Sequence, residues 1–225
     1  MHLKSPLLEK IPGIVHGFGT RDEPIAGPFQ KRWSELKPKW SQAHATDVVE
    51  VRQAGQECGA VDALFTAHPG QPIGVFTADC VPVLLARREG GRVAAVHAGW
   101  RGTRARILRA LWEKLGSQGE SPQDWVAAIG PSIGPCCYEV SEELARDFER
   151  EFAPFGEGLA VPSYRHLDLP AINEQELKSI GVIEVDLLRA CTMCSGSPGE
   201  WTYHSYRRDG GGTRQYSLIT LAEAT

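Results

Sequence analysis

Three residues of metal-ligating type sit where backbone elements begin or end. His44 lies in the polar run "SQAHATDVV". Cys80 follows Asp79 at the mouth of the apolar run "VPVLLARR". His97 closes the next apolar run, "GRVAAVHA", just before "GWRG". Singly, each has an ordinary explanation: a surface loop histidine, a small buried hydrophobe and a satisfied core histidine. Together, two imidazoles and a thiolate form a mixture that zinc accepts, and three protein ligands leave a fourth position open for water or substrate. A metal-free alternative uses the same residues, with Cys80 as nucleophile and His97 as its base. Asp62 and Asp79 are the carboxylates available to move protons near such a centre.

Other segments supply candidates for holding a ligand. In "HAGWRG", Gly99 and Gly102 stand at the expected start of a helix, where backbone N–H groups and Arg101 suit an anion. "IGPSIGPCCYEV" is a Gly/Pro loop that can wall a pocket, with Tyr138 as a stacking platform. "SYRRDGGGTRQ" concentrates arginines and glycines, including Arg208, in a pattern suited to a phosphate or carboxylate clamp, and Arg21 in "GFGTR" is a further cation. Each of these is equally a plain turn or solvated loop. "CTMC" (191–194) has Cys-x-x-Cys spacing. Redox chemistry or structural zinc are the specific readings. A four-thiolate zinc requires the adjacent Cys136 and Cys137 to converge with it.

The elements that must position these residues follow from periodicity. Residues 14–19, "DVVEVRQ", "DALFT", "IGVFTA", "VPVLLARR", "GRVAAVHA", "WVAAI", "VIEV", "WTYHSY" and "RQYSLITL" read as strands. The runs at 81–88 and 91–98 are apolar at consecutive positions, the mark of a strand buried on both faces. "REGG" between them suggests a hairpin, which would bring Cys80 and His97 together. Thr103 is expected to cap a helix over "RARILRALWEKLG", with Gly116 at its stop. Ser141 is expected to cap "SEELARDFEREF", with Leu144, Phe148 and Phe152 on one face. Pro170 and Gly181 should open and close "PAINEQELKSIG". A helical fragment fits 31–40, and 154–168 reads as a long surface loop. The mixture points to one α+β domain spanning 1–225.

Composition excludes several classes. A net charge of −4 with scattered Lys and Arg argues against a nucleic-acid binder. No apolar stretch reaches the roughly 20 residues of a membrane span, and the N-terminus lacks a secretory apolar region. A cytoplasmic location is therefore expected, where the six cysteines serve as thiols or ligands rather than as structural disulfides. Oligomeric state is left open.

Taken in order, "GFGTR", "QAHATDVV", "DALFT", "TADCVPVLL", "VAAVHAGWRGT", "IGPSIGPCCYEV", "CTMC" and "SYRRDGGGTRQ" resemble the YfiH/laccase-domain proteins. These are also called multicopper polyphenol oxidase-like proteins and include zinc-dependent purine nucleoside phosphorylases. The resemblance implies a single-domain α/β/β/α sandwich of the YfiH/CNF-like type. It implies a metal site at His44, Cys80 and His97, zinc by preference with copper possible. It also implies phosphorolysis of adenosine, inosine, guanosine and methylthioadenosine with inorganic phosphate, and adenosine deamination in the same site. For such a reaction Cys80, His97 and Asp62 are the candidate catalytic residues, and Arg21, Arg101, Tyr138 and Arg208 the candidate substrate contacts. Alternatives are a cysteine-dependent hydrolase editing peptidoglycan precursors, a copper-dependent polyphenol oxidase and a zinc-stabilised binding protein. Two segments depart from the family pattern: Ala45 follows His44 where glycine is usual, and "RRDGGGTRQ" varies the arginine loop.

Overall fold

A computed structural model describes residues 2–223. Nine strands build two sheets: β1 (Ile14–Phe18), β2 (Val48–Glu50), β3 (Ala63–Thr66), β4 (Ile73–Thr77), β5 (Val81–Arg87), β6 (Val93–Ala98), β7 (Trp125–Ile129), β8 (Val185–Leu187) and β9 (Gln215–Leu221). The larger sheet has the order β8-β7-β5-β6-β3-β2, and the smaller has the order β1-β9-β4. Four helices carry most of the helical packing: α1 (Trp100–Arg104), α2 (Ile107–Gly116), α3 (Glu142–Phe152) and α4 (Leu169–Ile180).

The alternation of side chains along each strand explains the layering. Leu84 and Ala86 of β5, Val93 and Ala95 of β6, and Val126 and Ala128 of β7 face the smaller sheet, meeting Phe18, Ile73, Val75 and Ile219. Their neighbours Val83, Leu85, Ala94, Val96, Ala127 and Ile129 face the helices, meeting Ile107, Leu111, Phe148 and Leu177. Both faces of the large sheet are dry, so its strands read as unbroken apolar runs. Beyond the smaller sheet, Phe29 and Trp33 from two short helical turns cover Leu218. The result is the expected α/β/β/α sandwich. Each fully buried Leu or Phe in it contributes about 1.5–3 kcal/mol, and Leu84→Ala would cost about 2–5 kcal/mol through lost contacts and a cavity.

Several expected caps are present. The Ser141 side chain accepts the Leu144 N–H at 3.2 Å. Asp168 accepts from Ala171 at 2.9 Å ahead of α4, and Gly181 takes the left-handed conformation at its end, with φ of 118°. Two expectations are corrected. Thr103 does not cap α2. The chain turns helical earlier, from Gly99, and Thr103 lies inside α1, where its hydroxyl accepts from Asn173 at 3.0 Å. The break before α2 falls at Arg106, which adopts φ of 65°. The run "WTYHSY" is not a strand. Only Glu200–Trp201 is extended and paired, and the Ser205 side chain instead caps the short helix Tyr206–Asp209 by accepting from Arg208 at 3.2 Å. A local capping bond there outcompetes a two-residue alternation.

The N-terminal segment is tied down through a buried histidine. His16 Nε2 accepts the Ser5 N–H at 2.8 Å, and the Ser5 hydroxyl donates to Asp186 at 2.6 Å. Burial lowers the pKa of His16 from 6.5 to about 4. The unfolded chain therefore takes up this proton first as pH falls. The stability linked to His16 is complete above pH 6.5 and is lost progressively toward pH 4, by up to about 3 kcal/mol. Denaturant unfolding at pH 7.5 and pH 5 should show this loss, and His16→Gln, which keeps an acceptor but cannot titrate, should reduce it. Equal pH dependence in the variant would show that His16 is not the group responsible.

Candidate functional site

The β5–β6 hairpin does the first part of the assembly. Its register pairs Val81 with Ala98 and Pro82 with His97. Cys80, one residue before β5, is therefore placed beside the end of β6. His44 comes from a loop far along the chain, and one carboxylate draws it in. Asp62 is almost fully buried and accepts four hydrogen bonds. The backbone N–H groups of Ala43, His44 and Ala45 donate at 3.1, 3.1 and 2.8 Å, and His97 Nδ1–H donates at 2.7 Å. The same group thus curls the His44 loop and sets the His97 ring, leaving Nε2 as the free ring nitrogen. His44 is held at φ of 58°, a left-handed conformation that costs a non-glycine residue about 1–2 kcal/mol.

The ligand atoms of His44, Cys80 and His97 lie within 4.8 Å of one another. Cys80 Sγ is 3.9 Å from His44 Nε2, and the two imidazole rings meet edge to face with centroids 4.8 Å apart. Tetrahedral zinc needs N···S spacings of about 3.5 Å, so the cluster is close to the size of a coordination sphere. The backbone approaches closely too. A Cβ on Gly99 would stand 3.0 Å from both Cys80 Sγ and His44 Cδ2, so a larger residue there would press on two members of the cluster and shift them by a few tenths of an ångström. The donor set, the Asp62–His97 bond that fixes a ligand tautomer and this close approach all suit a metal.

Electrostatics tie the three groups together. Burial opposes ionisation of Cys80, but the two histidines outweigh it and lower the thiol to about 7. Burial likewise opposes a charged His97, but Asp62 and the Cys80 thiolate raise it to about 9. Burial also opposes the charge on Asp62, yet the His97 bond and the backbone donors hold its carboxyl below the usual range. The three groups thus favour one another's charged forms: a Cys80 thiolate, a His97 imidazolium and an Asp62 carboxylate. Asp79, with φ of 93°, uses its carboxylate differently: it accepts from the Thr192 hydroxyl at 2.6 Å and the Arg207 N–H at 2.7 Å.

The cluster opens into a cavity of about 500 Å³. Phe76, Trp100, Tyr138 and Tyr206 supply aromatic walls, and Arg101, Arg207 and Arg214 supply cations. Thr77 lines it with a buried hydroxyl that has no partner among the described residues. Gln42 clamps Phe76 by bonding its backbone N–H and C=O, both at 2.8 Å. Burial, followed by the charges of Cys80 and Asp79, pushes the Tyr138 phenol up to about 12. Of the arginines singled out from sequence, Arg101 and not Arg21 or Arg208 is on this wall. Arg208 donates to the carbonyls of Thr192, Met193 and Tyr203 at 3.0, 3.0 and 2.7 Å, and Arg21 faces Asp209 at 3.4 Å. Arg207, Arg214, Gln42 and Phe76 were not singled out. Arg207 adjoins Arg208 in the same arginine-rich segment, where residue type alone does not say which guanidinium turns inward.

The four-layer sandwich that carries this cluster and pocket is a fold already seen in crystals. The fold matches protein NMB0706 of Neisseria meningitidis, a DUF152 protein, with a TM-score of 0.80, 27% identity and 99% of each chain covered. The chain belongs to the multi-copper polyphenol oxidoreductase laccase family, which matches residues 31–222. It is 38% identical over 183 residues to a purine nucleoside phosphorylase of Deinococcus radiodurans, covering 80% of this chain and 68% of that one. It is also 38% identical over 139 residues to adenosine deaminase RL5 from an unknown prokaryotic organism, covering 60% and 53%. No helix among the described residues is long and apolar enough to cross a membrane.

The charge pairing yields a measurable property of the metal-free protein. Cys80 should alkylate with an apparent pKa near 7, ahead of an ordinary thiol. Asp62→Asn removes the carboxylate that sustains the imidazolium, so Cys80 should shift upward and alkylate roughly tenfold more slowly at pH 7. Residue-resolved mass spectrometry of alkylation against pH checks both. An unchanged Cys80 profile in the variant would show that Asp62 does not support the pair.

Proposed function

We propose that this chain is a purine nucleoside phosphorylase acting on adenosine, inosine, guanosine and methylthioadenosine, with adenosine deaminase activity in the same pocket and zinc held by His44, Cys80 and His97. The observation that carries the reading is the Cys/His cluster at the base of a pocket whose walls are aromatic and cationic at once. A purine has a flat face to stack on Phe76 or Tyr138, and phosphate is a dianion suited to paired guanidinium groups. The names carried by relatives, a purine nucleoside phosphorylase and an adenosine deaminase, support the same two reactions.

In phosphorolysis a phosphate oxygen bonds to ribose C1′, the C1′–purine bond breaks, and the purine leaves with the bonding electrons and takes a proton. Arg101, Arg207 and Arg214 hold the phosphate against the sugar, which is a contribution of orientation and charge. The aromatic walls orient the base and exclude water. In deamination, water oxygen replaces the amino group at purine C6 and ammonia leaves. Zinc, held by His44, Cys80 and His97, would supply an electrophile and a water of lowered pKa to this step. Asp62 acts as a positioning residue, because its four bonds go to His97 and the His44 loop.

A second reading has its own support. Asp62, His97 and Cys80 form a carboxylate–imidazole–thiol series with Cys80 lowered to about 7, the arrangement of a cysteine nucleophile and its base. That reading is a cysteine-dependent hydrolase acting on peptidoglycan precursors. Chelation separates the two: it abolishes turnover that needs zinc and leaves or improves a free-thiolate reaction.

Adenosine incubated with phosphate should give adenine and ribose 1-phosphate, with inosine as a second product. Zinc analysis should show this cluster occupied, and Cys80→Ala should lose that zinc and turnover while melting near the wild-type temperature. Adenosine consumption independent of phosphate, with no ribose 1-phosphate, would defeat the phosphorylase reading. Removing Arg101 or Arg207 should raise KM for phosphate by about tenfold or more, as expected for a lost charge-assisted hydrogen bond worth about 1.5–3 kcal/mol. An unchanged phosphate KM in both variants would place the anion elsewhere.

A further inference from the structure

A second group of ligands lies outside the pocket. The thiols of Cys136, Cys137, Cys191 and Cys194 all lie within 4.8 Å of one another, and Cys136 Sγ is 3.6 Å from Cys194 Sγ. Four thiolates around zinc, each at about 2.3 Å, form a tetrahedron with S···S edges of about 3.8 Å. All four cysteines are free thiols, and Cys136 and Cys194 are exposed, so an ion can reach them from solvent.

The local backbone is shaped for this convergence. In the first loop, the N–H groups of Cys137 and Tyr138 both donate to Gly134 C=O at 3.0 Å, folding the vicinal cysteines onto a tight turn. In the second, Ser195 N–H donates to Cys191 C=O at 3.0 Å, so the Cys-x-x-Cys spacing closes on itself. The two loops are joined at their base, where Ser132 N–H donates to Ala190 C=O at 3.1 Å and Thr192 N–H to Ser132 C=O at 3.0 Å. Gly134 N–H donates to Cys191 Sγ at 3.3 Å, the outer bond by which a protein steadies a ligating thiolate.

We propose that Cys136, Cys137, Cys191 and Cys194 hold a second, structural zinc ion that clips these two loops together. An all-thiolate set with no open position is the closed, structural pattern. It differs in donors and geometry from the two-histidine, one-cysteine cluster. The clip bears on the pocket. Thr192, between the second pair of ligands, donates its hydroxyl to Asp79, and Tyr138, directly after the first pair, lines the cavity. Ile133 N–H donates to Asp79 C=O at 2.9 Å, which joins the first loop to the residue next to Cys80. An ion bound here fixes one wall of the pocket by holding its two supporting loops at a set separation.

The assignment is independent of the reaction proposed above, and the test keeps them apart. Protein isolated from zinc-supplemented cells without added chelator is analysed for metal. A Cys80→Ala/His97→Ala variant, which lacks the pocket cluster, should retain one zinc per chain. Cys136→Ser/Cys194→Ser should lose one zinc relative to wild type. Should that variant fail to fold, cobalt loading of the Cys80→Ala/His97→Ala protein decides the matter, because four thiolates around tetrahedral Co²⁺ give intense visible and thiolate charge-transfer bands. A pocket variant with no zinc and no such cobalt spectrum would overturn the proposal. So would iron in place of zinc, or a lowered intact mass revealing a bridge among the four thiols in freshly isolated protein.

Discussion

The buried Asp62 carboxylate is the interaction on which the pocket cluster depends. It stands one residue before β3, so the large sheet fixes its position. From there it reaches in two directions, to the His97 ring at the end of β6 and to three successive backbone N–H groups of the His44 loop. A buried carboxylate must find donors or lose its charge. Satisfying it forces His44 into a left-handed backbone conformation that a histidine does not choose for itself. Strain at this pocket-lining position is thereby sustained by a bond elsewhere.

The sheet that carries Asp62 is stiff for a compositional reason. Its central strands are apolar on both faces and sandwiched between the helices and the smaller sheet. Close packing on both sides leaves no room for register slip, since a shift of one residue would exchange the two sets of side chains. Register then becomes site geometry: pairing Pro82 with His97 is what places Cys80 against His97. Large-to-small changes in this layer would loosen the cluster as well as the fold.

Loops build the other side of the pocket, and Asp79 ties them. Its carboxylate joins the loop after β8, through Thr192, to the arginine-rich segment, through the Arg207 N–H. The same network turns Arg208 toward backbone carbonyls and leaves Arg207 and Arg101 on the cavity wall. Two adjacent arginines have separate tasks because a short helix at Tyr206–Asp209 points them in different directions.

Sequence by itself determined the buried strands, several helix ends and the candidate trio of His44, Cys80 and His97. Unbroken apolar runs at β5 and β6 announce strands buried twice. Ser141, Pro170 and Gly181 mark helix ends by local chemistry, and the motifs around His44, Cys80 and His97 identify the family. Local signals of this kind survive because their energetics involve neighbours in the chain. Tertiary structure decided what depended on partners far away. It made Asp62 an anchor, since its donors lie 17 to 35 positions distant. It chose which arginines face the cavity, and it started α1 at Trp100 rather than letting Thr103 cap the next helix. It also brought the "CC" pair to the "CTMC" turn, 58 positions apart between Cys136 and Cys194. Residue types show that such groups can meet; only packing of the loops against the sheet edge shows that they do.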